Sequence, residues 1–258
     1  MSAIRVHSLS ALLISLAASG AWAAKDSCFE CHSVQEGMSI VYKDDIHYKN
    51  GIGCADCHGG DPQEDNGNLS MSAARGFKVR VKREDVAEYC GRCHSDAAVM
   101  HKSKPGQRTD QLALYRRGVH GAELAKGNQK AANCIDCHSV HDIRAVDDPQ
   151  SPVAPAHIAA KCGTCHAEIA KMFRQSPHAK VFTTSGMAGC SACHASHDTE
   201  PAGVAALTGA KPVCAQCHDA ASAGGKAAAI MEKNIGSLAP AAQPASARQA
   251  AHSLKLAP

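Results

Sequence analysis

The chain has 258 residues, of which 14 are cysteine and 3% are aromatic, and its formal net charge is +3 at pH 7. So few aromatic side chains exclude an ordinary large hydrophobic core, unless something other than protein fills the interior. A charge this close to zero gives no sign of a nucleic-acid partner, and none is expected.

The first 23 residues have the three regions of a secretory signal peptide. Arg5 is followed by an apolar stretch at 9–18 and then by the small-residue sequence Ala21-Trp22-Ala23, after which we expect cleavage. A retained anchor is the alternative, but the stretch is shorter than the about 20 residues of a membrane span. No later segment is apolar enough, so we expect no membrane span in the mature chain and a periplasmic or extracellular location.

From residue 28 onwards, every cysteine belongs to a Cys-x-x-Cys pair that is followed directly by histidine. The seven units are Cys28/Cys31/His32, Cys54/Cys57/His58, Cys90/Cys93/His94, Cys134/Cys137/His138, Cys162/Cys165/His166, Cys190/Cys193/His194 and Cys214/Cys217/His218. Histidine makes up 16 of 258 residues. Seven such coincidences would therefore have odds on the order of one in a billion.

The CxxCH unit is the attachment site of c-type haem, in which both thiols bond to the porphyrin and the histidine is the proximal iron ligand. A bare CxxC also occurs in zinc sites, redox dithiols and disulfide frameworks. The sequence predicts seven covalently attached haem c groups. With about 34 mature residues for each haem, the porphyrins themselves must form the core. Their propionates make the holoprotein acidic despite the positive sequence charge, and many Lys and Arg side chains are expected to pair with them.

Aligning the motifs reveals a larger repeat. Met38, Met100 and Met172 each stand six residues after the histidine of a first motif, and each is followed by another histidine and a second motif. We therefore predict a heptahaem region at 24–218, with two-haem modules at about 28–62, 90–143 and 162–199 and a final haem at 214–218. Repeats of this kind commonly stack into extended arrays.

The expected fold class is mainly α with extensive loops and little β, a haem-packed array of two-haem modules. Short helices are predicted after the first motifs, in HSDAAVM and HAEIAKM, and loops at 59–67, 104–108 and 146–155. Residues 77–81 are the only run in which apolar and polar residues alternate as they do in a β-strand. Residues 219–258 are predicted to hold one weak helix, at 226–234, and then a disordered tail rich in Ala, Pro, Gln and Ser.

Eight histidines remain as candidates for the second axial position, nearly matching seven irons and favouring bis-histidine coordination throughout. They are His47, His101, His120, His141, His157, His178, His197 and His252. Three of them each precede the second motif of a module: His47, His120 and His178.

His141 and His197 stand three residues after a motif histidine, where module one has Asp61. At that offset a side chain lies on the proximal side of its own haem, so we expect each to ligate a neighbouring haem. His101, His157 and His252 have no matched positions. Met38, Met100 and Met172 are alternative axial ligands, although their helical offset suits packing against the ring better.

Two basic clusters, at 78–83 and at Arg116-Arg117, suit a solvated face or propionate partners. A docking patch for an acidic redox partner is the alternative.

The chain resembles the bacterial periplasmic multihaem cytochromes c, particularly the class III group. The resemblance rests on CADCHGGDP, the CGxCH starts, RGVHG and SPHA ahead of a motif, and CHSVHDI and CHASHD; it covers 28–218 but not the tail. It implies an electron conduit linking inner-membrane quinol dehydrogenases to periplasmic or outer-membrane cytochromes.

We therefore expect an electron carrier with low-potential bis-histidine haems and no catalytic residues. One rival is a multihaem reductase of nitrogen or sulfur oxyanions with one open iron. The other is a subunit of a haem filament or of an outer-membrane conduit. The sequence leaves the oligomeric state open.

Overall fold

The computed structural model describes residues 26–33, 42–200 and 213–238. The predicted signal peptide, Met38, His252 and the tail beyond residue 238 lie outside these residues. Helices are the only regular secondary structure in the described ranges, which confirms the predicted fold class. No helix found there is long and apolar enough to cross a membrane.

The first predicted module consists of very short helices joined by turns. Its α-helices are α1 (Ser27–Ser33), α2 (Ile46–Lys49) and α3 (Cys54–His58); α4 (Gly67–Ser70) and a 3-10 turn at Ala73–Arg75 follow beyond its predicted end. The alternating run at 77–81 forms no strand.

The second module begins with a 3-10 turn at Arg83–Asp85. Its α-helices are α5 (Val86–His94), α6 (Ala97–Ser103), α7 (Gln111–Arg117), α8 (Val119–Ala125) and α9 (Cys134–His138). Helix α6 lies where HSDAAVM predicts it, and it begins there because the Asp96 carboxylate caps it. That carboxylate accepts hydrogen bonds from the backbone N–H groups of Ala98 at 2.7 Å and Val99 at 3.3 Å.

The third module repeats this pattern. Its α-helices are α10 (Ile158–Gly163), α11 (Ala167–Gln175), α12 (Pro177–Ser185) and α13 (Ser191–His194). The final motif contains a 3-10 turn at Cys214–Gln216, and α14 spans Ala223–Leu238, so the helix predicted at 226–234 is longer than the sequence indicated.

The apolar core of the described residues is small. Nine apolar residues are buried and four of them are alanine, while the larger ones are Tyr42, Val86, Leu114, Leu124 and Phe182. By contrast, Met172 on α11 is 66% exposed and Val181 on α12 is 54% exposed. The protein atoms alone therefore leave large apolar side chains uncovered, as expected if a bulky cofactor packs between the helices.

One side chain ties the start of the second module to its second motif. The Arg83 guanidinium donates to the carbonyls of Gln129 at 2.8 Å and Ala131 at 2.7 Å and to the Asp136 carboxylate. In return, the Asn133 side-chain amide donates to the Arg83 carbonyl at 3.2 Å. These bonds join segments 46 to 53 residues apart in sequence.

Replacing Arg83 with Met should lower the free energy of unfolding by about 2 kcal/mol, because several charge-assisted hydrogen bonds are lost together. The matched control is Arg116→Met. Arg116 pairs with Glu88 on the surface, and the two side chains are 58% and 54% exposed, so its loss should leave the free energy of unfolding nearly unchanged. Chemical denaturation of the haem-loaded proteins measures both values. Equal losses would contradict the structural role of Arg83.

Candidate haem-binding sites

In the first and second modules, the second CxxCH motif begins a short helix of its own. In α9 the Asn133 side chain accepts the Ile135 N–H at 3.2 Å, and the Asp136 carboxylate accepts the Asn133 N–H at 2.7 Å. In α3 the carboxylate of Asp56 accepts the Gly53 N–H at 2.7 Å. The acidic residue between the two cysteines therefore fixes the start of each of these helices, which carry the cysteines and the histidine.

The two cysteines of a motif differ in exposure. All fourteen lie in the described residues, and no disulfide joins any two of them. In six of the seven motifs the first cysteine is partly buried and the second is exposed, while in the fourth motif both are partly buried. The exposed second cysteines are Cys31, Cys57, Cys93, Cys165, Cys193 and Cys217.

Cys31 and Cys165 are the second cysteines of the first motifs in modules one and three. The sequence predicts that both thiols of each motif bond to a porphyrin, but the protein atoms do not enclose these two, in contrast to the partly buried Cys28 and Cys162. The Thr164 hydroxyl lies 4.0 Å from the Cys165 sulfur. An exposed thiol is accessible to a porphyrin, so this arrangement is compatible with attachment. Haem attachment through Cys31 and Cys165, as through the other twelve cysteines, stays a prediction.

Within the described ranges, no three His, Cys, Asp or Glu side chains converge on a metal-ion site. The cysteines and histidines are instead arranged as pairs, and the histidine pairs extend from one module to another.

Three of the predicted second ligands share one structural position. Each is the second residue of a helix, and each lies beside the motif histidine of the following module. The ring pairs are His47 with His94 at 5.9 Å, His120 with His166 at 6.2 Å and His178 with His218 at 5.9 Å between centroids. In each of these pairs, the motif histidine comes from a different module than its partner.

His141 and His197 pair in the opposite direction along the chain. The His141 ring lies 6.0 Å from that of His58, and the His197 ring lies 6.1 Å from that of His138. Each therefore contacts the second-motif histidine of the preceding module. That neither residue ligates its own haem stays a prediction.

A strained turn precedes both of these histidines. Ser139 has φ of 71° and Ala195 has φ of 59°, and they are the only non-glycine residues with positive φ in the described residues. Gly59 occupies the same position in the first module, with φ of 67°. Such backbone costs about 1–3 kcal/mol for a residue with a Cβ. The turn directs the chain away from its own motif helix immediately after the motif histidine.

The five ring separations fit two imidazoles on opposite sides of one metal ion. A metal–imidazole bond is about 2.0 Å long and the nitrogen lies about 1.1 Å from the ring centre, so two such ligands place their centroids about 6.2 Å apart. The observed separations run from 5.9 to 6.2 Å. The donor set, with a cysteine pair beside one imidazole of each gap, suits haem c.

Hydrogen bonds at Nδ1 leave Nε2 available in several of these rings. His58 Nδ1 lies 2.9 Å from the Lys78 carbonyl, and His47 Nδ1 lies 2.9 Å from the Asp45 carboxylate. His157, a candidate without a matched position in the other modules, has Nδ1 2.9 Å from the Ser151 carbonyl. Since these oxygens only accept, the proton stays on Nδ1 and the Nε2 lone pair can bind a metal.

Burial favours the neutral form of five of the paired imidazoles. It lowers the pKa of His94, His120, His141 and His197, and it lowers the pKa of His138 to about 4. In four of these five rings, the charge of a neighbouring histidine lowers the pKa further, as the charge of His47 does for His94. Neutral imidazole is the form that ligates a metal, so burial favours the protonation state that can bind iron.

The motifs also succeed one another in space as they do in sequence. Within modules two and three, the thiols of the first cysteines of the two motifs are close enough to interact: Cys134 lowers the pKa of Cys90 to about 7, and Cys162 lowers the pKa of Cys190 to about 7. Between modules, burial and then the charges of Asp56 and Cys90 raise the pKa of Cys57.

The third module and the final motif are joined in the same way. Burial and then the charges of Cys214 and Cys217 raise the pKa of the Cys193 thiol. Successive motifs therefore lie side by side from one end of the array towards the other.

A cavity of about 540 Å³ lies beside His197. Its lining includes Gln111, Leu114 and Ser191, and the Gln111 side-chain oxygen is buried without a hydrogen-bond partner among the described residues. A pocket of this size with an unsatisfied polar atom fits a bound prosthetic group.

The remaining candidates have other surroundings. His101 is exposed and its Nε2 bonds the Gln107 carbonyl at 3.0 Å. His32 lies on α1, and no histidine ring lies beside His194 in the described ranges. Of the methionines, Met172 is 66% exposed and Met100 lies on α6.

Two residues escaped the sequence analysis. Asp45 is fully buried against His47, and its signal is a carboxylate two positions before a candidate ligand. Lys78 belongs to the basic cluster at 78–83, but it acts through its carbonyl. Three arginines of the two basic clusters pair with carboxylates: Arg83 with Asp136, Arg116 with Glu88 and Arg117 with Asp198.

Two family models match parts of the chain. The cytochrome c3 model matches residues 46–150, and the model of cytochrome c554 and c-prime matches residues 11–59 and 161–239. A C-type polyheme cytochrome of Geobacter sulfurreducens, OmcC, is 28% identical over 120 residues, which is 44% of this chain and 14% of that protein. These findings support a multihaem c-type cytochrome. They imply covalently bound haem c and electron transport. No solved structure matches the chain.

Proposed function

We propose that this protein is a periplasmic heptahaem cytochrome c that relays single electrons between a quinol-linked donor and a downstream acceptor. The five histidine pairs, spaced 5.9 to 6.2 Å apart between ring centroids, carry the proposal. Haem c, held by the cysteine pairs, supplies reversible one-electron chemistry when bound. The signal-like N-terminus supports the location.

The pairs define a ligand scheme that links neighbouring modules. The histidine before each second motif ligates forwards, to the first haem of the next module or to the final haem. The histidine three residues after a second motif ligates backwards, to the second haem of the preceding module. The first module carries Asp61 at the backward position, where the carboxylate pairs with Arg75 instead.

This scheme favours a relay over a reductase. Each paired imidazole occupies a position where an oxyanion substrate would have to bind, so five sites are closed to substrate. Adjacent motifs whose thiols affect each other's pKa, as Cys134 affects Cys90, also suit short electron-transfer steps. A quinol dehydrogenase and periplasmic or outer-membrane cytochromes are the proposed redox partners.

The haem-loaded protein should contain seven covalently bound haems, because all seven motifs are intact and no cysteine is left over. Intact-protein mass spectrometry after export with a working maturation system gives the number directly. A mass corresponding to six or fewer haems would contradict the occupancy of every motif.

Replacing His120 or His178 with Phe should convert one haem of the seven to high spin and leave all haems attached, because attachment uses the cysteines alone. Phe retains the ring volume but removes the ligand. The matched control is His101→Phe, at an exposed ring bonded to Gln107, which should stay low spin. Electron paramagnetic resonance of the ferric proteins reads the spin state. If both test variants remain wholly low spin, the forward half of the ligand scheme is wrong.

The wild-type protein should relay electrons without turning over substrate. We expect low-spin ferric spectra and little carbon monoxide binding after reduction for at least the five haems with paired histidines, and a multi-step redox titration at mostly negative potentials. Nitrite and hydroxylamine reduction should be negligible. A stoichiometric high-spin haem that binds carbon monoxide and supports rapid reduction of either substrate would establish the reductase instead.

A further inference from the structure

Asp45 is a fully buried carboxylate at the junction of the first two modules. Its side chain is 0% exposed, and a buried carboxylate is costly unless hydrogen bonds compensate for lost hydration. Three N–H groups provide them. Oδ1 accepts from His47 N at 2.7 Å and faces His47 Nδ1 at 2.9 Å, while Oδ2 accepts from Ile143 N at 2.7 Å.

These bonds join two segments that each carry a candidate iron ligand. Asp45 and Ile143 are 98 positions apart in sequence, and Ile46 N donates to the Ile143 carbonyl at 2.7 Å, which completes the link. The Tyr42 ring lies edge-on to His141 at 6.3 Å and its hydroxyl donates to the Ile52 carbonyl at 2.6 Å. Asp45 thus lies between the forward ligand His47 and the segment that contains the backward ligand His141.

The other modules lack this carboxylate. Two residues before His120 stands Gly118, which has no side chain, and two residues before His178 stands Ser176, whose hydroxyl donates to the Phe173 carbonyl at 2.7 Å. His58 has a neutral partner at Nδ1, the Lys78 carbonyl. Among the described histidines that form the five ring pairs, His47 is the one whose Nδ1 has a carboxylate partner.

We propose that Asp45 is a positioning residue that orients His47 and lowers the reduction potential of the haem attached through Cys90 and Cys93. The inference rests on the proposed ligation of that haem by His47. A carboxylate that accepts the Nδ1 proton makes Nε2 a stronger donor, and a stronger donor stabilises the ferric state. Asp45 therefore gives this haem a lower potential than the haems held by His120 and His178, although the three ligands occupy equivalent positions.

The test is Asp45→Asn in the full-length, haem-loaded protein. The amide is a weaker acceptor for Nδ1, so one of the seven haem transitions should move to higher potential by about tenfold in its redox equilibrium constant, or about 59 mV. The ferric spectrum should stay low spin. The control is Asp44→Asn, which removes the same charge from the neighbouring residue. The Asp44 side chain is 64% exposed, and its carboxylate lies 3.7 Å from the Arg144 guanidinium. This control should leave every potential unchanged.

A gain-of-function variant keeps the proposal testable if Asp45→Asn fails to fold. Ser176→Asp introduces a carboxylate two residues before His178 and should lower the potential of one haem. Unchanged potentials in both test variants, or equal shifts in Asp44→Asn and Asp45→Asn, would overturn the role of Asp45. A loss of low-spin signal without any potential shift would also overturn it, because that result describes a purely structural residue.

His47→Phe separates this inference from the ligand scheme. If it creates one high-spin haem while the aspartate variants are silent, the ligation holds and only the role of Asp45 is wrong. If it leaves every haem low spin, the ligation of that haem by His47 is itself wrong, and the inference about Asp45 fails with it.

Discussion

The spacing between histidine rings of different modules is the constraint on which this structure depends. Five pairs lie about 6 Å apart, across every junction between successive modules and onto the final motif. A single metal between two imidazoles requires that gap, and direct packing of the rings alone does not. The helices that present these rings are short, and several have only four or five residues. Under the proposed ligation, their positions depend on the metal between the rings rather than on helical stability.

The small apolar core follows from the same constraint. A chain that buries so few large side chains cannot offset the conformational entropy of ordering its loops by protein packing alone. Folding is therefore linked to cofactor attachment, as it is in small metal domains. The polar links are correspondingly specific: Arg83 reaches across 53 residues to Asp136, and Asp45 reaches across 98 residues to Ile143. Such contacts define which segments meet, while the cofactor provides the apolar contact area.

Much of this arrangement could be predicted from sequence because it is local. The CxxCH motifs, the helix beginning at Ala97 and the repeated placement of His47, His120 and His178 depend on spacing alone. The inference that His141 and His197 cannot serve their own haem also follows from a three-residue offset. The partner of each ring could not be predicted, because it depends on the path of the chain between modules. The burial of Asp45 and the use of the Lys78 carbonyl were missed for the same reason: neither residue type reveals a contact 20 to 98 residues away.

The strained residues Ser139 and Ala195 and the glycine at position 59 mark the point where each module turns away from its own motif helix. Under the proposed ligation, an internal module gives one imidazole forwards and one backwards, and it receives one from each side. A duplicated or deleted internal module would therefore leave its neighbours with as many ligands as before. Arrays of this kind can evolve in steps of two haems, whereas a cut within a module leaves iron without a ligand on both sides of the cut. Length is thus an evolvable property of the array, and the module boundary is the natural place for recombination.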